Sequence, residues 1–201
     1  MNKDQRLIEE AYAKIRESVV NVPQEIKDYI ASGGKGNLNL DSQSYPKLTS
    51  LPDNLEVHGK LSLENSSIKS LPKNLRVHGK LNLSRTSILT LPNDIKVDGD
   101  LELSSSDIKT LPDNLKIGGS LYLAGTKLDK LPKGLEIKGY LFLVNCPITR
   151  VQDLPSDLKV HGNIESYYFT NQEAKDYLKK HQRLNKKLSK DFDISVLDDF
   201  S

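Results

Sequence analysis

Side chains able to bind metal ions or transfer protons recur at a regular spacing in the middle of this sequence. His58, His78 and Asp98 each stand directly before a glycine, so they fall in one column of a regular repeat. Neighbouring members of such a column lie about 5 Å apart, close enough to share a metal ion. Three ligands on one flat ladder do not make a tetrahedral site by themselves. We therefore expect a solvated ladder with a mild response to pH, and no metal ion.

Aromatic side chains form a second column further along the sequence. Tyr122 and Phe142 are separated by the same interval as the two histidines, and Tyr140 precedes Phe142 by two positions. Exposed aromatic groups on a rigid surface are typical anchors of protein interfaces. We predict that a partner protein binds these residues and the polar column residues near them: Tyr122, Tyr140, Phe142, Glu102, His58 and His78. The alternative is that the C-terminal segment, residues 167–188, folds back over the aromatic residues.

A third group of charges lies near the C-terminal end, where cations accompany a helical apolar stripe. Thr170 and Glu173 make a capping box at the start of this helix. The other faces carry basic residues that could contact a nucleic acid or an acidic protein: Lys175, Lys179, Arg183, Lys186 and Lys187. The simpler interpretation is a capping helix with a solvated basic face, followed by an acidic and apolar tail.

A repeated unit of about 20 residues must position these side chains. Consecutive units that begin with Leu-Pro run without a gap over residues 51–150, and a sixth, incomplete unit starts at Leu154 after three extra residues. Apolar residues alternate with polar ones on both sides of a central glycine, which predicts two short strands meeting at a glycine corner. One unit cannot bury its own apolar face, so the units must stack into a solenoid.

One position of every unit holds a small side chain, as in Ser66, Thr86, Ser106, Thr126 and Cys146. A hydroxyl at this position could bond to the turn backbone or to the next coil. Because Cys146 occupies the same position and no base recurs beside it, we expect a buried small side chain rather than a reactive thiol.

The shared pattern LPxxLxVxGxLxLxxTxIxx resembles that of leucine-rich repeat proteins, and the likeness is carried by Leu61-x-Leu63-x-x-Ser66-x-Ile68-x-x-Leu71-Pro72. Its period is similar to that of the short class found in secreted bacterial effectors and in phage and bacterial proteins. The resemblance implies a leucine-rich-repeat-like solenoid, with strand-rich coils and helical N-terminal and C-terminal segments (α+β). Ser, Thr or Cys occupies the position at which the family has Asn. The V-x-G segment inserted before the first strand leucine implies a coil that is flatter than the usual horseshoe of the family.

The pattern divides the chain into four parts. We expect a helical N-terminal cap over residues 1–33, with a second short helix from Gln24 to Ala31. The solenoid spans residues 34–166, an amphipathic basic helix follows over residues 167–190, and an acidic-hydrophobic tail covers residues 191–201. A solenoid needs a cover for its exposed apolar end, which favours a cap over a separate recognition helix at the N-terminus.

Composition and missing motifs exclude several classes of function. The net charge of +2 argues against a protein that coats DNA, and the single cysteine excludes an internal disulfide framework and a Cys-rich zinc site. The sequence has no nucleophile elbow, phosphate loop, HExxH motif or dinucleotide fingerprint. The first residues lack a signal-peptide pattern, and no apolar run is long enough to cross a membrane. We expect a non-enzymatic cytoplasmic protein that uses no cofactor and no membrane.

These features favour a protein-binding solenoid that occupies or masks the surface of a partner protein. The resemblance implies a phage or bacterial accessory factor that acts on a host protein, in the host cytoplasm if it is phage-encoded. Two alternatives stay open. One is a nucleic-acid-associated protein that uses the basic C-terminal helix, and the other is a structural component of a larger assembly.

Overall fold

The computed structural model describes residues 23–191, and these form the predicted repeat solenoid with a helix on either side of it. The helices are α1 (Gln24–Ala31) and α2 (Asn171–Asp191), and a 3-10 helix covers Val151–Asp153. In chain order the strands are β1 (Leu38–Asn39), β2 (Glu56–Val57), β3 (Leu61–Ser62), β4 (Arg76–Val77), β5 (Leu81–Asn82), β6 (Lys96–Val97), β7 (Leu101–Glu102), β8 (Lys116–Ile117), β9 (Leu121–Tyr122), β10 (Glu136–Ile137), β11 (Leu141–Phe142), β12 (Lys159–Val160) and β13 (Ile164–Glu165). The predicted helix before residue 23 and the predicted tail after residue 191 lie outside the described residues.

Two parallel sheets form walls of the solenoid, and each regular coil gives one strand to each sheet. The first strands of the coils pair in the order β12-β10-β8-β6-β4-β2, and the second strands in the order β1-β3-β5-β7-β9-β11-β13. Partners are one repeat apart, as in the pairs Leu81↔Leu101 and Leu101↔Leu121. The repeat length therefore sets the register, and equivalent side chains align in the predicted columns.

Leucine, isoleucine and valine from the repeated positions fill the interior. In the unit spanning residues 91–110, Val97 points inward from the first strand, Leu101 and Leu103 point inward from the second, and Ile108 points inward from the return segment. The equivalent residues of the neighbouring units are buried as well. The burial follows the alternation that predicted the strands, since successive residues of a strand face opposite sides of its sheet.

The glycine between the two strands of each regular coil lies against the backbone of the preceding coil. A Cβ on Gly99 would be 2.5 Å from the carbonyl carbon and oxygen of Gly79, and a Cβ on Gly79 would be 2.6 Å from the Gly59 oxygen. These separations are too short for any real Cβ. Glycine recurs here because the stacked coils leave no room for a side chain, which confirms the predicted close approach.

The small residue of each unit is buried, and several members donate a hydrogen bond within the turn. Thr86 Oγ1, Ser106 Oγ and Thr126 Oγ1 donate to the carbonyl oxygen three residues earlier, at 2.7, 2.6 and 2.8 Å. The Cys146 thiol makes the same contact with the Leu143 carbonyl at 3.1 Å. Burial raises the pKa of the Cys146 thiol, which disfavours the reactive thiolate.

We expect Ser106→Ala to lower the free energy of unfolding by about 1 kcal/mol, because it removes a buried hydrogen bond. Ser66→Ala is the matched control, since the Ser66 Oγ is buried but has no hydrogen-bond partner among the described residues. Removing that hydroxyl should leave stability unchanged or raise it slightly. Urea unfolding followed by circular dichroism measures both variants. Equal losses in the two would show that the hydrogen bond is not what stabilises the turn.

Helix α1 covers the N-terminal end of the solenoid. Ile26 and Tyr29 are buried in the same hydrophobic core as the repeat residues. The Tyr29 hydroxyl donates to the carbonyl of Gly34, which also accepts a hydrogen bond from the His58 amide at 3.1 Å. The predicted short helix is thus tied to the first regular coil by its C-terminal loop.

Helix α2 covers the other end, and it begins with the predicted capping box. Glu173 Oε2 accepts a hydrogen bond from the Thr170 amide at 2.7 Å, and Thr170 Oγ1 accepts one from the Glu173 amide at 3.2 Å. Leu178 is buried, and Asn171 Oδ1 accepts a hydrogen bond from the Ile164 amide of β13 at 2.9 Å. Among residues 23–191, no helix combines the length and the apolar character needed to cross a membrane.

Candidate binding surfaces

The outer face of the second sheet is polar over most of its length and becomes aromatic at β9 and β11. The Tyr122 and Phe142 rings stack with centroids 4.5 Å apart and planes inclined by 6°. The Tyr140 ring is tilted by 38°, with its centroid 6.1 Å from that of Phe142. The structure therefore brings the three predicted residues together, and we call Tyr122, Tyr140 and Phe142 the aromatic patch. Strand register fixes the column that contains two of them: Ser62, Asn82, Glu102, Tyr122, Phe142 and Glu165.

A charged pair borders the aromatic patch on its N-terminal side. Lys80 Nζ lies 3.2 Å from Glu102 Oε2 and 5.2 Å from the centroid of the Tyr122 ring. A lysine over a tyrosine face is attracted by the negative potential of the ring. Because Lys80 lies on the β5 side of Tyr122 and Phe142 on the β11 side, the Tyr122 ring is flanked on both faces. The predicted contact residue Glu102 belongs to this border.

The aromatic patch is accessible in the described part of the chain. Tyr140 is 47% exposed, while Tyr122 and Phe142 are half-buried. Helix α2, which the alternative interpretation places over the patch, packs mainly on the 3-10 helix and on β13.

Sequence analysis missed two further exposed aromatic residues. Tyr167 is 75% exposed and Tyr168 is 54% exposed. The signal was present for Tyr167, because it follows Glu165 of β13 by two positions and a strand repeats its facing every two residues. The sequence analysis assigns Tyr167 to the basic helix predicted over residues 167–190, whereas the helix begins at Asn171.

The predicted histidine column lies beside the first sheet, where it gains a carboxylate that sequence analysis missed. The His58 and His78 rings stack with centroids 5.0 Å apart and planes inclined by 21°. His78 Nε2 lies 2.8 Å from Glu56 Oε1, and His78 Nδ1 lies 2.7 Å from Asp98 Oδ2. We call Glu56, His58 and His78 the histidine cluster. The cluster belongs to the other sheet, so the structure does not bring the two histidines to the aromatic patch.

Two carboxylates act on His78 from either side of its ring. The hydrogen bond to Glu56, followed by the one to Asp98, raises the pKa of His78 above its ordinary value. The same contact lowers the pKa of the Glu56 carboxyl, and the nearby positive charge of Arg76 lowers it further. Each group therefore favours the charged form of the other.

Comparison of the sequence with protein-family models and with curated proteins finds no match.

Helix α2 presents its basic residues to solvent. Lys175, one of the predicted nucleic-acid contacts, is exposed and has its Nζ 3.3 Å from Asn163 Oδ1 of the last coil. The other predicted contacts, Lys179, Arg183, Lys186 and Lys187, are exposed. A shallow groove of about 510 Å³ runs along this surface, and it is lined by Asp176, Lys179, Lys180, Arg183, Leu184 and Lys187.

Proposed function

We propose that this chain is a non-enzymatic protein-binding module whose solenoid holds the aromatic patch for a partner protein. The observation that carries the proposal is the stacked pair of Tyr122 and Phe142, with the exposed Tyr140 beside it, on the outer face of the second sheet. Each of these residues lies in or next to a strand held on both sides by other coils. Ordered side chains lose little further entropy when a partner binds, which favours affinity.

The geometry of the aromatic patch favours a protein over a nucleic acid at this surface. Bases bind single-strand platforms by stacking on free aromatic faces. Here Tyr122 and Phe142 cover each other, and Lys80 flanks the remaining face of Tyr122. Neither face of the Tyr122 ring is therefore free to stack on a base, whereas its edge and those of its neighbours stay available. Such groups suit apolar contact and hydrogen bonding with a protein surface.

The repeat pattern supports the leucine-rich-repeat-like identity of the solenoid, and that identity suggests a biological setting. The chain would be a phage or bacterial accessory factor that occupies or masks the surface of a host protein. It would act in the host cytoplasm if it is phage-encoded. Masking needs no reaction step, which agrees with the lack of recognised catalytic motifs in the sequence.

Capture from host-cell lysate with mass spectrometry, at moderate and at high salt, tests the proposal. We expect a protein partner that high salt does not release, and we expect Tyr122→Ala combined with Phe142→Ala to lose it. Each anchor contributes about 2 kcal/mol, so one substitution weakens binding roughly thirtyfold. The control is Ser62→Ala combined with Asn82→Ala, which changes the same column two and three coils before Tyr122 and should keep the partner.

Both variants must first show the wild-type circular dichroism spectrum and unfolding transition. A folded aromatic variant that captures the same proteins as the wild type would contradict the proposed surface. If no partner protein is captured and the average molecular mass in solution rises with protein concentration, the result would favour a structural component of a larger assembly.

The exposed cations of α2 favour a second candidate, which is binding of nucleic acid. Lys179, Arg183 and Lys187 line one groove on successive turns of the helix. Phosphate binding by such residues releases counterions, so affinity must fall steeply with salt. Fluorescence anisotropy with labelled single-stranded and double-stranded oligonucleotides measures that slope. Binding that persists after Lys179→Glu and Arg183→Glu would exclude this helix as the contact.

A further inference from the structure

We propose that the histidine cluster is a binding site for a divalent transition-metal ion, with zinc as the best fit. Glu56, His58 and His78 would supply one carboxylate and two imidazole ligands. One ligand atom from each of the three residues lies within 4.8 Å of those of the other two. Two imidazoles and one carboxylate are a donor set that zinc uses when one position stays open to water.

Both imidazole rings are already oriented by acceptors at Nδ1. His58 Nδ1 lies 3.0 Å from the carbonyl oxygen of Gly34, and His78 Nδ1 lies 2.7 Å from the Asp98 carboxylate. Both partners accept hydrogen bonds, so Nδ1 carries the proton in each ring. Nε2 is therefore the nitrogen that would bind a metal ion in both histidines, and in His78 the ion must displace the hydrogen bond to Glu56 Oε1 together with its proton. Metal-binding histidines in proteins are held in this way by a carbonyl or carboxylate behind the ring.

The position of Gly34 is itself fixed by the fold. Gly34 has φ of +68°, and a Cβ there would lie 2.9 Å from the Glu56 carbonyl oxygen and 3.5 Å from His58 Nδ1. The end of α1 can approach the cluster this closely only with glycine at that position. The loop thus brings a carbonyl acceptor to His58 that the histidine column alone does not supply.

The charges around the histidine cluster and the space beside it suit a divalent ion. Glu56 and Asp98 together balance two positive charges, although the neighbouring Arg76 opposes the ion. A cavity of about 170 Å³ lies beside the cluster, and its lining includes Gly33, Asp53, Glu56 and His58. It has room for the water molecules that complete the coordination of the metal.

Binding requires only a small movement of the side chains. Tetrahedral ligands at about 2.1 Å from zinc lie roughly 3.4 Å from one another. One donor atom of each residue already lies within 4.8 Å of the other two, so the three residues need to close by only about 1.4 Å to reach that separation. The side chains of Glu56 and His78 are 46% and 39% exposed, which leaves them room to turn. The contact between Glu56 and His78 Nε2 opens to admit the ion.

Isothermal titration of the untagged full chain with zinc chloride tests the site. We expect saturable binding of one zinc ion per chain, weakened at least ~10-fold by His58→Gln, by His78→Gln and by Glu56→Gln. Asp98→Asn should weaken it by about tenfold, because Asp98 positions His78. The matched control is His161→Gln. His161 stands in the same column near Glu136, at 3.6 Å, and is not one of the three residues of the cluster.

A second measurement on the wild-type chain makes the test independent of how the variants fold. Long-range nitrogen NMR of the imidazole rings should show zinc on Nε2, with the proton on Nδ1, in both His58 and His78. Absence of saturable zinc binding would overturn the proposal, and so would binding that survives both histidine substitutions. Displacement of the bound zinc by an equal concentration of calcium would also overturn the proposal, since calcium prefers oxygen ligands. None of these results depends on a partner protein at the aromatic patch.

Discussion

Gly99→Ala should lower the free energy of unfolding by about 3 kcal/mol or more, although it adds one methyl group. Its Cβ would stand 2.5 Å from the carbonyl carbon and oxygen of Gly79 and 2.9 Å from the Lys80 amide nitrogen. These are backbone atoms, so no side chain can turn aside. The two coils would have to separate at the corner, where the Leu81 amide donates to the Asp100 carbonyl at 2.9 Å.

Gly33→Ala is the control, because it replaces a glycine at a position where the new Cβ meets no neighbouring atom. Gly33 has φ of +81°, and a Cβ there would meet nothing within 4 Å. Only the left-handed backbone conformation opposes the substitution, which costs about 1 to 2 kcal/mol. Urea unfolding followed by circular dichroism compares the two variants. If Gly99→Ala lowers the free energy of unfolding no more than Gly33→Ala does, neighbouring coils can move apart at the corner without breaking the stack.

Deleting one whole unit, residues 91–110, should leave a cooperatively folded solenoid. After the deletion β5 meets β9, and both already pair with β7 in the same register. Gly119 then lies against Gly79, as Gly99 does now. Each coil interacts with its immediate neighbours, so the stack becomes shorter without changing its walls.

Deleting half a unit, residues 101–110, should abolish cooperative folding. The coil that contains β6 would then have no strand for the second sheet. The gap would leave two neighbouring strands about 9.6 Å apart, twice the normal strand spacing, with their backbone groups unpaired. Thermal unfolding monitored by circular dichroism distinguishes the two deletions. Loss of the transition in the whole-unit variant would show that the coils are not interchangeable.

Sequence analysis predicted both walls of the solenoid because the repeat length alone determines them. Once the units stack, positions one repeat apart must pair, and the alternation around Val97 and Leu101 decides which side chains face inward. The glycine corner followed from the same pattern. The extra residues Val151–Asp153 were visible as an interruption, but nothing in their types indicated that they form a 3-10 helix. Their conformation depends on the coils that they connect.

The candidate sites were predicted only in part, because side-chain contacts across strands depend on rotamers and on loops. Stacking of equivalent repeat positions predicts that His58 lies beside His78. It does not predict Glu56, which contacts His78 diagonally from the strand that precedes His58. Gly34 reaches the cluster from a loop whose path no repeat dictates. At the aromatic patch the same stacking predicts that Tyr122 lies beside Phe142. It does not predict Lys80, which reaches the Tyr122 ring from two coils away.

Hydrogen bonds that run from coil to coil give this molecule a direction of mechanical weakness. The Leu81, Leu101 and Leu121 amides donate to the next coil at 2.9, 2.9 and 2.8 Å, so these bonds point along the stack. A force applied to the two ends pulls them apart one coil at a time. Each coil that detaches releases about 70 Å of extended chain while the stack shortens by about 5 Å. Under tension the solenoid therefore behaves as an extensible spacer that yields in equal steps.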